Sequence, residues 1–342
     1  MPFDPTERVP IGSRGVVVTR LAFGCAPIGG LFQAVTDAAA AAVLERAWDL
    51  GIRAFDVAPL YGYGTAERLL GEFLRDRPRD DFVVSTKVGR LVRTVGSIPA
   101  GAEVDHQVLD GHPDAYYAGI GERRMVFDYS ADGVRRSIDE SLERLGLDRV
   151  DIVLIHDPDD HWQAALDGAY PALHRLREDG VVRAIGMGMN QAAMLARFAE
   201  LTEPDVFLLA GRYTLFDQDA LSTVLPRCVE HRIAVLIGGV MNSGLLADPR
   251  PGTHLDYAPA EDWAIARARR LGEICARHGV ALRAAAMQFP LAHPAVRGLI
   301  AGTRRVEHLE EYHESMRLAI PPGMWHELRD AGLLPPDAPV PA

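Results

Sequence analysis

Apolar residues form eight short and nearly continuous runs along the chain, a pattern that predicts strands covered on both faces. Strands with one solvated face would alternate apolar and polar residues instead. The runs are VVVTRLAFG (16–24), IRAFDVA (52–58), DFVVSTKVG (81–89), RVDIVLIHD (149–157), VRAIGMGMN (182–190), DVFLLAG (205–211), IAVLIGG (233–239) and VRGLIAG (296–302). We therefore expect parallel strands that are covered by helices.

Amphipathic segments between these runs predict the helices. One helix begins after Thr36 and ends at Gly51, and another begins after Ser130 with its apolar residues three and four positions apart. Further helices are predicted at 162–179, 191–200, 217–231, 261–278 and 305–317. A strand followed by a helix, repeated eight times, is typical of an α/β fold of the parallel (β/α)8 TIM barrel type.

The main alternative is an open, doubly wound sheet that binds a dinucleotide. This fold predicts GxGxxG after the first strand, but the candidate GCAPIGG (24–30) has a different spacing, and GxxxxGK[ST] is absent from the sequence. We expect one barrel domain over residues 1–342 with its core at about 16–317, because no linker interrupts the pattern. A long loop follows strand three, and a proline-rich extension after about residue 320 wraps the outside.

Composition excludes several classes of function. Lys plus Arg is 36 and Asp plus Glu is 47, and the net charge of −11 disfavours binding to nucleic acid or to anionic membranes. Apolar residues make up 48% and charged residues 24%, as in ordinary globular proteins. The N-terminal segment MPFDPTERVP does not resemble a secretion signal, and no apolar run reaches the roughly 18 residues of a membrane span. We expect a cytoplasmic protein.

Metal and disulfide sites are not expected. Cys25, Cys228 and Cys275 are scattered and form no CxxC pair, which disfavours a disulfide framework or a zinc site. The segment HDPDDH (156–161) contains possible ligands, but Pro158 breaks any helix there and no further group has ligand spacing.

Polar side chains stand at the carboxyl ends of four consecutive predicted strands. Asp56, Lys87 and His156 end strands two, three and four, Asn190 follows strand five, and Tyr61 lies on the loop after strand two. Each has an ordinary structural explanation: a turn cap, a surface position, a core position or packing. Because the active site of such barrels lies at this rim, their convergence there favours catalysis.

The residue types suggest a proton-transfer device. A tyrosine phenol titrates near pH 10, so we expect Lys87 to lower the pKa of Tyr61 and Asp56 to hold Lys87 charged and oriented. His156 would hydrogen-bond the reacting oxygen of a substrate.

Four segments carry a resemblance to the aldo-keto reductases over about residues 9–317. They are FDVAPLYGYGTAERLLGEFL (55–74), VVSTKVG (83–89), DGVRRSIDESLERLGLDRVDIVLIHDPD (132–159) and GLIAGTRRVEHLEEY (298–312). The passage from FDYS (127–130) to the IHD of 155–157 is most similar to the branch that oxidises aldoses such as L-fucose at C1, or pyridoxal. The resemblance implies an NAD(P)-dependent oxidoreductase acting on a small sugar or aldehyde, with reduction of a small aldehyde or ketone as an alternative.

The resemblance also implies residue roles. Tyr61 is the general acid and base, Lys87 and Asp56 tune it, and His156 orients the substrate oxygen. A nicotinamide cofactor lies extended across the rim without a Rossmann motif, and Asn190 binds its carboxamide. The remaining cofactor contacts implied are Met241, Asn242, Ser243, Gly244 and Leu245 beside the pyrophosphate, and Gly302, Thr303, Arg304, His308 and Glu311 at the adenosine end.

Two departures from the family pattern concern the cofactor. Relatives usually stack a tyrosine on the nicotinamide and contact it with a glutamine, and here Gly238 and Ala210 stand at those positions. Many NADP-dependent relatives carry a lysine and an arginine for the 2′-phosphate, where this chain has Gly302 and His308 with Arg304-Arg305 nearby. Fewer cations favour NAD, or the use of both cofactors.

Some alternatives stay open at this point. The long loop 89–129 either lines the substrate pocket or packs on itself as a lid; its candidate residues are His106, His112, Tyr116, Tyr117 and Phe127. Two other functions are a barrel that senses a cofactor for a partner protein, and an aldolase with Lys87 as its Schiff-base lysine.

Overall fold

The computed structural model describes residues 2–105 and 116–342. Within these ranges the strands are β1 (Arg8–Ile11), β2 (Val16–Thr19), β3 (Leu21–Gly24), β4 (Ala54–Asp56), β5 (Val83–Thr94), β6 (Val104–Asp105), β7 (Arg123–Asp128), β8 (Ile152–His156), β9 (Ala184–Met189), β10 (Val206–Ala210), β11 (Ala234–Gly238), β12 (His254–Leu255), β13 (Ala258–Pro259) and β14 (Val296–Ala301).

Eight of these strands close into a parallel barrel. Around the barrel the order is β3, β4, β5, β8, β9, β10, β11 and β14, which pairs with β3 again. The predicted (β/α)8 fold is confirmed. Because every barrel strand runs in the same direction, all of their carboxyl ends meet at one rim.

The opposite end of the barrel is closed by a hairpin. Strands β1 and β2 pair antiparallel, and Val9, Ile11, Val16 and Val18 turn their side chains onto the barrel interior. They pack there with small and branched residues such as Ala22, Ile152, Leu208, Leu236 and Ile300. This packing removes apolar surface from water and leaves the carboxyl-end rim as the open face.

Helices cover the outside of the barrel. Within the described ranges they are α1 (Asp37–Asp49), α2 (Thr65–Leu74), α3 (Ala131–Leu145), α4 (Trp162–Ala164), α5 (Tyr170–Glu178), α6 (Ala192–Leu201), α7 (Leu225–Glu230), α8 (Asp262–Arg277), α9 (Leu282–Gln288), α10 (Val306–Arg317) and α11 (Pro322–Asp330). The Thr36 and Ser130 hydroxyls accept hydrogen bonds from backbone N–H groups of α1 and α3, as their sequences predict. None of these helices is long and apolar enough to cross a membrane.

The structure corrects several predicted boundaries. The run 16–24 is two strands, since 16–19 belongs to the hairpin and only 21–24 enters the barrel. The predicted helix 217–231 is reduced to a short 3-10 turn and α7, because Pro226 lacks a backbone N–H and disfavours helical structure before it. The C-terminal extension contains α11, whose Trp325 is fully buried.

The loop predicted after strand three is partly a sheet. Strand β5 continues beyond the barrel rim to Thr94 and pairs antiparallel with β7, which also pairs with β6. This small sheet stands at the carboxyl-end rim, beside the predicted site. Cys25, Cys228 and Cys275 are buried and unpaired within the described part of the chain.

Candidate active site

Neighbouring strands bring the predicted catalytic residues together. Asp56 is the last residue of β4, Lys87 lies in β5, and His156 is the last residue of β8. Strand β5 pairs with both β4 and β8, so these three side chains come from adjacent strands. Tyr61 lies in the turn after β4. The convergence expected from the sequence is present in the fold.

Lys87 and Asp56 form a buried ion pair. The Lys87 ammonium donates to both carboxylate oxygens of Asp56, at 2.8 and 2.9 Å, and to the carbonyl oxygen of Val57 at 3.1 Å. Ser85 Oγ donates to the same carboxylate at 3.0 Å. These bonds use all three ammonium donors. Lys87 is the only lysine in the sequence, and these three bonds leave it no donor for another partner.

A tight turn places Tyr61 beside this pair. Gly62 has a φ of 63°, and a Cβ there would overlap the backbone of Gly29, so the two loops meet backbone to backbone. The Lys87 nitrogen lies 4.7 Å from the centre of the Tyr61 ring. Lys87 thus lies against the Tyr61 ring, while its hydrogen bonds go to Asp56 and Val57.

The direction of the Tyr61 pKa differs from the expectation. Burial, followed by the negative charge of Asp56, raises the pKa of the Tyr61 phenol well above its usual value of 10.0. Lys87 was expected to lower this pKa, but the adjacent carboxylate balances its charge. The structure therefore holds Tyr61 as a protonated phenol, ready to donate.

His156 is a neutral imidazole that faces Tyr61. The two rings are perpendicular, with centres 6.0 Å apart. Burial, with Arg90 and Lys87 as additional causes, holds the pKa of His156 well below 6.5. The strand end is fixed because Arg90 and the Tyr129 hydroxyl each donate to the His156 carbonyl oxygen at 2.8 Å. A neutral imidazole retains one N–H that can hydrogen-bond a substrate oxygen.

These residues share a cavity of about 140 Å³ at the rim. Its lining also includes Asn190 and Asp157, together with Tyr116, Tyr117 and Tyr257 from two loops. A larger groove of about 590 Å³ lies outside the barrel at Tyr170, His174 and 200–203, away from the catalytic residues. The small cavity is the candidate active site, since Lys87, Tyr61 and His156 all line it.

Aromatic rings from three loops cluster beside this cavity. The Phe32 ring stacks on His254 at 5.5 Å between ring centres and meets Tyr116 at 6.3 Å. Tyr116 and Tyr257 lie 5.5 Å apart, and both line the cavity. Phe32 and Tyr257 adopt positive φ angles of 60° and 67°, which are unusual for side chains of this size.

Part of the long-loop prediction can be assigned. Tyr116 and Tyr117 line the cavity, whereas the Phe127 ring stacks on His161 at 4.3 Å instead. His106 and His112 lie outside the described residues.

A family model described as the aldo/keto reductase family matches residues 20–332. The chain belongs to the aldo/keto reductase family. It is therefore an NAD(P)-dependent oxidoreductase that acts on CH–OH groups.

Two relatives of this aldo/keto reductase match over nearly their full length. It is 43% identical to a D-threo-aldose 1-dehydrogenase of Pseudomonas sp. over 94% of this chain and 96% of that protein. It is 40% identical to a pyridoxal 4-dehydrogenase of Microbacterium luteolum over 98% of this chain and 100% of that protein. An L-galactose dehydrogenase of Arabidopsis thaliana is 29% identical over 88% of this chain and 85% of that protein.

Solved structures support the fold. An aldo-keto reductase from Bacillus halodurans in its holo form matches with a TM-score of 0.72, at 20% identity and 98% coverage of both chains. A glycerol dehydrogenase from Gluconobacter oxydans matches with a TM-score of 0.71, at 21% identity and the same coverage.

Two of the predicted cofactor segments of the aldo/keto reductase lie side by side at the rim. Asn190 donates from Nδ2 to the carbonyl oxygen of Ala210 at 3.0 Å, and Asn242 donates to that of Gly211 at 3.4 Å. The Asn242 Oδ1 atom is buried, and within 2–105 and 116–342 it has no hydrogen-bond partner. Ser243, like Asn242, has a positive φ.

The predicted adenosine segment lies at the start of α10. Arg304 donates to the Gln33 side chain at 2.6 Å and so links the last rim loop to the first. Thr303 is buried, and its Oγ accepts from the backbone N–H of Arg305 at 3.1 Å. His308 is half-buried, and Glu311 pairs with Arg283.

Two residues of this site were missed by sequence reasoning. Asp157 stands directly after His156, and its place in HDPDDH was considered only as a metal ligand. Tyr257 comes from the loop after β11, more than 18 residues beyond that strand, and no local pattern connects it to the site. In the described residues no group of His, Cys, Asp and Glu side chains is suited to a metal.

Proposed function

We propose that this chain oxidises an aldose such as L-fucose at C1 to its lactone, with NAD or NADP. One observation carries the proposal: the Lys87–Asp56 ion pair supports a phenol at Tyr61, which faces a neutral His156 across a small cavity. A phenol and an imidazole that face each other can bind one oxygen atom from two sides.

The cofactor would be held by the rim segments of 240–246 and 302–312, with Asn190 at its carboxamide. The buried and unpartnered Oδ1 of Asn242 supports a polar ligand at this turn. A nicotinamide cofactor bound there would supply the acceptor for the hydride that leaves C1 of the substrate. We expect NAD, or both cofactors, because Arg304 is tied to Gln33 rather than free to bind a 2′-phosphate.

Tyr61 would exchange the proton of the C1 hydroxyl. Burial raises the pKa of the phenol, so little phenolate is present at neutral pH. Because oxidation requires the phenolate to accept the proton, the reaction should become faster as the pH rises. His156 would donate its N–H to the same oxygen and position it. The aromatic cluster of Phe32, Tyr116 and Tyr257 would exclude water during the reaction.

Tyr257 is the ring that we assign to the nicotinamide face. Gly238 stands at the usual tyrosine position and pairs with Ala210 on the neighbouring strand, so neither residue supplies a ring. Tyr257 lines the same cavity as Asn190 and Ala210. A ring supplied by this loop would replace the missing stacking contact.

The relatives support oxidation of either of two substrates. The 43% identical protein is named for an aldose and the 40% identical protein for pyridoxal, so oxidation of pyridoxal is the second candidate. Both names describe the oxidation of a carbon that bears oxygen, and Tyr61 with His156 would serve either substrate.

A substrate panel tests the proposal. The protein is incubated with NAD or NADP and L-fucose, D-arabinose, L-galactose or pyridoxal, and the absorbance of the reduced cofactor is followed. Turnover of at least one sugar is expected. Turnover of pyridoxal alone would exclude the sugar assignment. Tyr61→Phe should abolish most of the activity, and Tyr63→Phe is the matched control, because Tyr63 lies in the same turn but outside the cavity lining.

A further inference from the structure

The Asp157 side chain is a carboxylate without a strong partner in the active-site cavity. Its oxygen Oδ2 lies 3.4 Å from His156 Nε2, and the described residues provide no hydrogen bond to the carboxylate. The side chain is 28% exposed and lines the cavity. Its acceptor capacity is therefore available to a molecule bound in the cavity.

The backbone holds Asp157 in this place despite strain. Its φ is 38°, in the left-handed region that few residues other than glycine adopt. The Asp157 N–H donates to the Gly188 carbonyl at 3.0 Å, and the Tyr129 hydroxyl donates to the Asp157 carbonyl, also at 3.0 Å. Strain that is fixed by such bonds is common at binding sites, where it aims a side chain at a ligand.

Burial and the neighbouring charges make the ionised form of Asp157 less stable than it would be in water. Burial raises its pKa to about 6, with Asp159 and Asp105 raising it further and Arg90 and Lys87 opposing them. Arg90 is engaged elsewhere, since it donates to Asp105 at 2.7 Å and to the His156 carbonyl. At neutral pH the cavity therefore contains an anionic acceptor that a ligand with hydroxyl donors would stabilise.

The Asp157 carboxylate lies close to the place where the reacting carbon of the substrate would bind. His156 faces Tyr61, and between them they bind the reacting oxygen in the proposed function. His156 Nε2 and Asp157 Oδ2 are 3.4 Å apart, so two neighbouring oxygens of one substrate can approach them together. A hydroxyl on the carbon next to the reacting one would thus lie within hydrogen-bond reach of Asp157.

We propose that Asp157 is a specificity-determining residue whose carboxylate accepts hydrogen bonds from hydroxyl groups on the carbons adjacent to the reacting carbon of an aldose. The inference rests on the proposed function and names the part of the substrate that this site selects. Tyr116, Tyr117 and Tyr257 supply rings against the apolar faces of the sugar. A substrate without those hydroxyls leaves a buried charge unpaired, so it is rejected.

Deoxy sugars and two variants test this role. The ratio of kcat/KM for D-arabinose to that for its 2-deoxy form is measured with NAD and NADP. The wild-type ratio is expected to be at least about 100, since a site built to bind a hydroxyl rejects analogues that lack it. In Asp157→Asn and Asp157→Gly the ratio should fall about tenfold or more, mainly through the KM for D-arabinose.

Both substitutions suit the backbone. Glycine and asparagine tolerate a positive φ, so these variants should fold, and cofactor binding measured by fluorescence checks that they do. The control is Asp159→Asn, because the Asp159 carboxylate accepts from Gln191 at 2.7 Å and is not in the cavity lining. Its ratio should match that of the wild type.

The outcomes separate the two proposals. If the wild type oxidises D-arabinose and the ratio survives in both Asp157 variants, the role of Asp157 is wrong and the proposed function stands. If the wild type oxidises no sugar and accepts only pyridoxal, the proposed function is wrong and this inference falls with it. A collapse of the ratio in both variants, with Asp159→Asn unchanged, supports it.

Discussion

The ion pair between Lys87 and Asp56 offers a test of the site that does not depend on catalysis. In Lys87→Met the unbranched methionine fills the space of the lysine stem, but the Asp56 carboxylate loses its cation. The side chains of Lys87 and Asp56 are only 1% and 3% exposed, so water cannot replace the lost charge. We expect the folded protein to be strongly destabilised.

The magnitude follows from what remains around the carboxylate. After the substitution Asp56 keeps one of its side-chain hydrogen bonds, from Ser85 Oγ, and the Val57 carbonyl loses its donor. Removing one partner of a buried ion pair costs about 3–5 kcal/mol. Because domains are stable by only about 5–15 kcal/mol, this is a large fraction of the total.

A second variant distinguishes this cause from a general packing defect. In the double variant Asp56→Asn with Lys87→Met, the neutral amide can accept from Ser85 and donate to Val57. The buried unpaired charge is gone, so the double variant should be at least about 2 kcal/mol more stable than Lys87→Met alone. Lys87→Met alone should thus lower the free energy of unfolding, and adding Asp56→Asn should raise it again. Two independent packing defects would each lower the free energy of unfolding.

Urea unfolding without cofactor, followed by tryptophan fluorescence and checked for reversibility, measures these differences. The reasoning is refuted if Lys87→Met costs less than about 1 kcal/mol, or if the double variant is less stable than the single one.

Three further outcomes are expected. Tyr61→Phe should lower kcat/KM for an aldose by about 10²–10⁴ and leave the Kd of the cofactor nearly unchanged, as fluorescence titration will show; a Kd raised tenfold would contradict this role. Because the pKa of Asp157 is raised to about 6 and that of His156 lies well below 6.5, kcat/KM for an aldose should fall more steeply below pH 6 than the protonation of Tyr61 alone requires, and this additional fall should be absent in Asp157→Asn. Arg304→Ala should release the Gln33 contact without weakening NADP binding selectively, whereas a loss of NADP affinity alone would show that Arg304 binds the 2′-phosphate.

The barrel was predictable because its signals are local. Each barrel strand is a short apolar run, and the rule that active sites lie at the carboxyl ends of the strands brings Asp56, Lys87 and His156 to one rim. The chain order of the strands is also the order around the barrel, so no long-range pairing had to be guessed.

The features that the sequence left undetermined depend on tertiary contacts. The raised pKa of Tyr61 follows from how deeply its turn is buried and how completely Asp56 balances Lys87, and neither is visible in a one-dimensional pattern. The cavity position of Asp157 depends on a left-handed backbone fixed by Gly188 and Tyr129, which come from other parts of the chain.

Because Lys87 is buried, its chemical modification can report when the barrel opens. Lys87 is the only lysine in the sequence and it is buried, so no lysine amine is exposed in the folded protein. An amine-reactive reagent should therefore modify Lys87 only when the barrel opens around β4 and β5. The rate of that modification, measured by mass spectrometry on the peptide that contains Lys87, would report how often the nitrogen atom at the catalytic centre becomes exposed. Adding cofactor or sugar should slow the modification of Lys87, and a ligand with a lower Kd should slow it more.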